Sequence, residues 1–233
     1  MNSSIQTLQL TDFAGEAARF ILAEAREAIA SRGMFRLALA GGQTPGIIYG
    51  ELARIAGDLP WKKVQITFGD ERCVPPDHAE SNFKMAKESL FDAIDIPPGN
   101  IFRVCGEIDP VEAAFEYENR LASVADRFNE TRYVHDLVLL GLGPDGHTAS
   151  LFPGSPALEE QERNVIPTIG PKPPPQRITM TFPILNAARH VCFLVNDPAK
   201  QPVIDEILSG QSSYPAASIQ AGKITWLIGT GKK

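Results

Sequence analysis

The chain is expected to fold as an α/β protein, a mostly parallel sheet with helices on both faces. Three observations predict it. Short, nearly continuous apolar runs such as FRLALA (35–40), VQITF (64–68) and HVCFLVN (190–196) read as strands buried on both faces. Stretches with apolar residues at helical spacing alternate with these runs, the pattern of strand-helix-strand units. The 233 residues suffice for one large domain, expected over 1–233, whose core needs no disulfide or metal.

The elements follow in order. IQTLQL (5–10) alternates like a strand with one wet face. TDFAGEAARFILAEAREAIASRG (11–33) reads as a helix, with Thr11 as its expected cap and Gly33 as its stop. After FRLALA, GIIYGELARIAG (46–57) is helical, and Pro45 suits the first position. SNFKMAKESLFDAI (81–94) is a helix capped by Ser81. PVEAAFEYENRLASVADRF (110–128) is a long amphipathic helix. DLVLLGLG (136–143), RITMTF (177–182), HVCFLVN and ITWLIGT (224–230) are strand-like, with room for a helix in PAKQPVIDEILSG (198–210). VIPTIGPKPPPQ (165–176) is the one linker-like piece. It is expected to be a stiff loop within a single domain, because strand-like runs of the same character continue after it.

Composition narrows the function. The three cysteines, Cys73, Cys105 and Cys192, are far apart and form no CxxC pair. Neither a zinc site nor a redox motif is suggested, and so sparse a count suits a reducing compartment. The first residues lack a basic region followed by an apolar run, so no signal peptide is read. No apolar stretch approaches the ~20 residues of a membrane span. A cytoplasmic protein is expected. A net charge of −6 without charged blocks argues against nucleic acid or anionic membrane as partners. A small anionic substrate needs only a local cluster of positive groups.

Ligands of open parallel sheets bind at the carboxyl ends of the strands. Four runs have polar tails: FRLALA leads into GGQTPG, VQITF into GDERCVPPDHAESN, LVLLGLG into PDGHTAS, and HVCFLVN into DPAK. If the strands are parallel, all four tails share one edge. Gly41, Gly42, Gln43 and Thr44 have the form of a phosphate cradle before a helix N-terminus, although a tight strand-to-helix turn needs the same residues. The loop is neither a Walker loop nor a GxGxxG fingerprint. In GDER, Asp70 and Glu71 are candidates for acid-base work and Arg72 for holding an anion. Taken alone, GDER is better explained as a salt-bridged loop, because ion-pair networks are common.

The stretch PDGH raises four readings. A metal wants three or more ligands, and Asp145 and His147 supply two. A nucleophile's triad wants an exposed elbow serine, which TASLF lacks at Ser150. A turn accounts for Pro144, Asp145 and Gly146 but not His147. A general base accounts for more: His147 takes a proton from water while Asp145 orients the imidazole. His135 and His190 begin strands and read as structural or solvated; His78 shares the Asp70 loop.

LALAGGQTP, FGDERCVPPDHAESN and LGLGPDGHTASLFPG, followed by RITMTFPILNAAR and FLVNDPAK, together resemble the signature segments of the glucosamine-6-phosphate deaminase/6-phosphogluconolactonase family, on its lactonase side. The likeness runs from about residue 8 to residue 229. It implies a Rossmann-like αβα sandwich that hydrolyses 6-phospho-D-glucono-1,5-lactone in the pentose phosphate pathway, with no cofactor and no metal. The family's base falls on His147, with Asp145 as its partner. Arg72 matches an arginine near the reacting end of the sugar, and Asp70 a site carboxylate. The phosphate side falls on Gly41, Gly42, Gln43, Thr44, Arg177 and Lys200. Ala40 and Gln43 replace serines common in the family, and NDP replaces a glycine-containing turn before Lys200. The deaminases carry a glutamate soon after the DGH, in a segment ending Asn-Glu-Pro, where this chain reads TASLFPG (148–154). The implied partner is a small phosphorylated lactone, and the implied state a monomer or weak homo-oligomer. A deaminase-isomerase, or a non-catalytic sugar-phosphate sensor, are the competing functions.

Overall fold

The computed structural model describes residues 4–231; positions 1–3 and 232–233 of the expected 1–233 domain lie outside the described residues. Along the chain the elements are β1 (Ser4–Leu10), α1 (Phe13–Arg32), β2 (Phe35–Leu39), α2 (Gln43–Ile55), β3 (Val64–Phe68), β4 (Asp70–Arg72), α3 (Asn82–Ser89), α4 (Pro110–Arg127), β5 (Leu137–Leu140), β6 (Val165–Ile169), β7 (Gln176–Met180), α5 (Phe182–Asn186), β8 (His190–Val195), α6 (Gln201–Leu208) and β9 (Lys223–Gly229).

Six strands form one sheet in the order β1-β9-β8-β5-β2-β3, every pairing parallel. Side chains alternate across the strands, so each strand feeds two cores. Leu37, Leu39, Leu137, Leu139, Cys192, Leu194 and Leu227 pack with α1 and α2. Ala38, Val138, Leu140, Val191, Phe193, Ile224 and Trp226 pack with α4, α5 and α6. Phe193 and Trp226 stack at 4.0 Å on that second face. The expected mostly parallel sheet, covered on both faces, is what the chain builds. No helix among the described residues is long and apolar enough to cross a membrane.

Local details differ from the expectations. Asp12, not Thr11, caps α1: its carboxylate accepts from the Gly15 amide at 3.2 Å. Glu16, the fourth helical residue and one later than the acid of a capping box, reaches back to the Thr11 and Asp12 amides at 3.0 and 2.9 Å. Ser81 caps α3 as expected, accepting from Lys84 at 3.2 Å. The helix after β2 starts at Gln43 with Gly42 as its cap, so Pro45 is the third position rather than the first. Proline is tolerated there because first-turn amides have no intrahelical partner. The strand expected at 136–143 ends at Leu140, where the polar turn takes over.

The larger departure is a second sheet. RITMTF does not join the parallel sheet. It becomes β7, the centre of a three-stranded antiparallel sheet ordered β4-β7-β6. Residues 165–169, expected as stiff loop, form its edge strand β6, and GDER supplies β4. Only residues 170–175 remain a loop, closed by the Gly170 amide donating to the Pro175 carbonyl at 2.7 Å.

Candidate active site

Parallel pairing of β3, β2, β5 and β8 brings their four polar tails to one edge of the sheet. Strand order places β5 beside β2, while the chain proceeds from β2 toward β3 and from β5 toward β8. The two following loops therefore diverge, leaving a crevice of the kind that binds ligands in open sheets. A cleft of about 490 Å³ lies there. Of the residues expected at the site, Gly41, Gly42, Gln43, Thr44, Asp70, Arg72, Asp145, His147, Arg177 and Lys200 line it, and Glu71 does not.

The turn after β5 is tightly tied. The Gly143 amide donates to the His147 carbonyl at 2.8 Å and the Gly146 amide to the Gly143 carbonyl at 3.1 Å. The Thr148 hydroxyl donates to the Gly141 carbonyl at 2.9 Å. Two glycines are sterically required. A Cβ on Gly143 would stand 2.1 Å from His147 Nδ1. One on Gly146, whose φ is +72°, would stand 2.3 Å from the Tyr214 ring. The Ala216 amide donates to the Gly146 carbonyl at 3.0 Å, fastening the turn to the segment before β9.

Within this turn His147 Nδ1 lies 2.5 Å from Asp145 Oδ1. The same oxygen accepts from the His147 amide at 3.3 Å. Partial burial pushes the Asp145 carboxyl up, but the hydrogen bonds and charge of His147 outweigh it and hold it below the usual range. An ionised carboxylate at this distance requires the proton of a neutral imidazole on Nδ1, leaving Nε2 as the basic nitrogen. The ring rests against Phe152, with centroids 4.6 Å apart.

GDER divides into two roles. Glu71 is buried and accepts from the Asn82 and Phe83 amides, both at 2.8 Å, from the Arg72 amide at 2.7 Å and from the Ser81 hydroxyl at 3.2 Å. Burial pushes its carboxyl up against those donors. It anchors the start of α3 and does not line the cleft, which removes it as an acid-base candidate. Asp70 does line the cleft; Ser150 Oγ donates to it at 2.6 Å and Asn82 Nδ2 at 3.2 Å.

Positive groups surround the other walls. Because α2 begins at Gln43, the Gln43 and Thr44 amides belong to its first turn, where helices present free N–H groups and a positive dipole end. Arg72 and Arg177 face each other in the β4-β7 register, a like-charge pairing that is unfavourable without an intervening anion. Burial, reinforced by the charge of Arg72, lowers the pKa of Arg177 from its ordinary value. Arg177 donates to the carbonyls of Pro174 and Lys172. Lys200 ends a short helical turn that Asp197 caps through the Ala199 amide.

The sequence reading missed Lys172, Asn82, Ser150 and Phe152 as lining residues, and Tyr214 as the support of Gly146. A lone lysine inside GPKPPP was the available signal for Lys172. His135 and His190 are buried, and His78 does not line the cleft; its Nδ1 accepts from the Glu80 amide at 3.1 Å. Among the described residues, no three His, Cys, Asp or Glu side chains gather as a metal site would require.

The comparisons with known proteins agree with this geometry. Residues 9–226 match the family model described as glucosamine-6-phosphate isomerases/6-phosphogluconolactonase. The chain is 44% identical over 211 residues to a 6-phosphogluconolactonase of Synechocystis, covering 87% of this chain and 85% of that one. It is 40% identical to the human 6-phosphogluconolactonase, covering 85% and 79%. The crystal structure of a 6-phosphogluconolactonase from Thermotoga maritima superposes with a TM-score of 0.87, at 31% identity, over 97% of this chain and all of the other.

Proposed function

Since the chain belongs to the family of glucosamine-6-phosphate isomerases and 6-phosphogluconolactonases, we propose that it hydrolyses 6-phospho-D-glucono-1,5-lactone to 6-phosphogluconate in the pentose phosphate pathway, with His147 as general base. The observation that carries the mechanism is the 2.5 Å contact between Nδ1 of His147 and Asp145, at a strand-end turn lining a cleft rich in positive groups.

A lactone is an activated ester, so water is a sufficient nucleophile once deprotonated. His147 Nε2 takes a proton from water as its oxygen bonds to C1. Asp145 holds the imidazole in the Nδ1–H form and stabilises the imidazolium. Arg72 offers positive charge near the developing C1 oxyanion. Collapse of the tetrahedral intermediate breaks the bond from C1 to the ring oxygen. The imidazolium returns its proton to that oxygen, and the new carboxylic acid ionises to solvent. Asp70, held by Ser150 and Asn82, is a hydrogen-bond acceptor for sugar hydroxyls. The Gly41–Thr44 loop with Lys200 and the Arg177 side of the cleft binds the phosphate, which makes attack at C1 nearly intramolecular. The reading is of a cytoplasmic single-domain enzyme, a monomer or weak homo-oligomer, using neither cofactor nor metal.

Deamination with aldose-ketose isomerisation needs ring opening and proton transfer between two carbons, hence a further acid-base group. In the segment after His147, Thr148 and Ser150 spend their hydroxyls on Gly141 and Asp70, and no carboxylate follows before Glu159. One preparation should be given both substrates, with acid release from the lactone corrected for spontaneous opening. Rapid lactone hydrolysis without ammonia release from glucosamine 6-phosphate is expected. Stoichiometric ammonia with no acceleration of lactone opening would overturn the assignment.

A further inference from the structure

Among the described residues, four cationic side chains line the cleft: Arg72, Lys172, Arg177 and Lys200. The two guanidinium groups spend part of their donors on the protein itself, while Arg72 Nε is buried without a partner. Arg72 donates through Nη1 to the Glu80 carbonyl at 2.6 Å and to the Glu80 carboxylate at 3.3 Å. Arg177 donates through Nε to the Pro174 carbonyl at 2.9 Å and through Nη2 to the Lys172 carbonyl at 3.4 Å. Neither lysine ammonium has a hydrogen-bond or ion-pair partner among the described residues. A phosphate monoester carries close to two negative charges at neutral pH. Two ammonium groups stand free to meet them.

Lys172 would ordinarily be dismissed as an exposed loop lysine. Its backbone is unusually constrained. It lies in the hairpin between β6 and β7, with prolines at 171, 173, 174 and 175 fixing φ around it. The Gly170–Pro175 hydrogen bond closes the hairpin at 2.7 Å. From the cleft side, the buried Arg177 fork grips two of its carbonyls. Holding the lysine's Cα in this way lowers the entropy lost when its ammonium binds an anion.

We propose that Lys172 is a phosphate-binding residue, and that Arg177 is a positioning residue acting through it by gripping the 170–175 hairpin at the cleft. The proposal rests on the phospholactone reading for its substrate, but binding of inorganic phosphate tests it independently of turnover. Calorimetric titration of inorganic phosphate into the wild type, Lys172→Ala, Lys172→Arg, Arg177→Ala and the Lys172→Ala/Arg177→Ala double variant is the experiment. Lys172→Ala should weaken binding roughly tenfold to a hundredfold, as loss of a charge-assisted hydrogen bond does, and Lys172→Arg should recover most of it. Arg177→Ala should lose a similar factor, and the double variant no more than the worse single one, because the two act as a unit.

With lactones, the same variants should lower the ratio of kcat/KM for the phosphorylated over the unphosphorylated substrate by a comparable factor, chiefly through KM. Wild-type phosphate affinity in Lys172→Ala, losses that multiply in the double variant, or absence of phosphate binding by the wild type would each overturn the proposal. Should Arg177→Ala fail to fold, the Lys172 variants decide alone. Phosphate binding with this pattern but no acceleration of lactone hydrolysis would sink the functional reading and leave the anion site standing.

Discussion

Replacing Gly146 by alanine tests whether His147, the proposed base, depends on the shape of its turn. The residue has φ of +72°, where an L side chain costs about 1–2 kcal/mol. Its added Cβ would also stand 2.3 Å from the Tyr214 ring, more than 1 Å short of an ordinary carbon contact of about 3.5 Å. Tyr214 lies in a segment bonded to the same turn through Ala216, so the turn and the ring must separate by roughly that distance. His147 is the next residue, and displacing a catalytic group by about 1 Å costs on the order of a hundredfold in rate. Gly146→Ala should therefore lower kcat about a hundredfold while KM changes little. Thermal melting should show a loss of roughly 1–3 kcal/mol, part of it backbone strain. Because the Tyr214 Cβ would itself stand 2.5 Å from the added methyl, only Tyr214→Gly removes the collision; it leaves the φ strain, so the Gly146→Ala/Tyr214→Gly variant should regain most of the lost kcat but only part of the stability. A folded Gly146→Ala enzyme with wild-type kcat would show that neither the turn geometry nor its support on Tyr214 matters for catalysis.

Three further outcomes are expected. His147→Ala should lower kcat by ~10²–10⁴ with little change in KM, the range for losing a general base; a folded variant retaining wild-type turnover would remove His147 from that role. Lys200→Ala should raise KM for the phosphorylated lactone while leaving the unphosphorylated one little affected, and equal effects on both would place Lys200 elsewhere in the mechanism. His135→Gln addresses acid stability. Nε2 of the buried His135 lies 2.9 Å from Thr67 Oγ1, whose hydroxyl is 3.2 Å from the Leu37 carbonyl, and Nδ1 is left bare. Burial, aided by the charge of Arg36, lowers its pKa from 6.5 to about 3. The unfolded chain takes up this proton near pH 6.5 and the native one does not until about pH 3, so stability falls as pH drops through that window, by about 2 kcal/mol at pH 5. Denaturant titrations at pH 7.5 and 5 should show the wild type losing more than the variant by about that amount; parallel losses would refute the assignment.

The parallel sheet was legible because its central strands are buried on both faces, and FRLAL, VQITF and HVCFLV display that directly. The converging tails were legible for the same reason, since parallel strands send their carboxyl ends one way. The antiparallel sheet was not. Asp70-Glu71-Arg72 and a segment containing Pro167 have loop compositions, and only pairing with β7 makes them strands. Tertiary context overrode local propensity there. Glu71 looked like chemistry because a carboxylate in a polar loop gives no local sign that three backbone amides will surround it. Arg72 opposite Arg177 is a product of register, and Tyr214 against Gly146 joins positions 68 residues apart. Neither leaves a trace in a sequence window. Lys172 had a local context, the prolines, but its relation to Arg177 appears only once β6 and β7 pair.

The pairing of β1 with β9 has a consequence for synthesis. Ser4 through Leu10 align with Lys223 through Gly229, so every rung joins residues 219 positions apart. β1 leaves the ribosome long before the strand it pairs with. Until then β8, bonded to β5 on one side, presents its other edge unpaired, and unpaired edges recruit other chains. Closing so long a loop is also slow relative to local structure. The base turn follows β5 and can form long before β9 is made, but its fastening at Tyr214 and Ala216 comes from the stretch just ahead of β9. A nascent chain thus carries His147 early and gains the support for its turn late, together with the closing strand of the sheet.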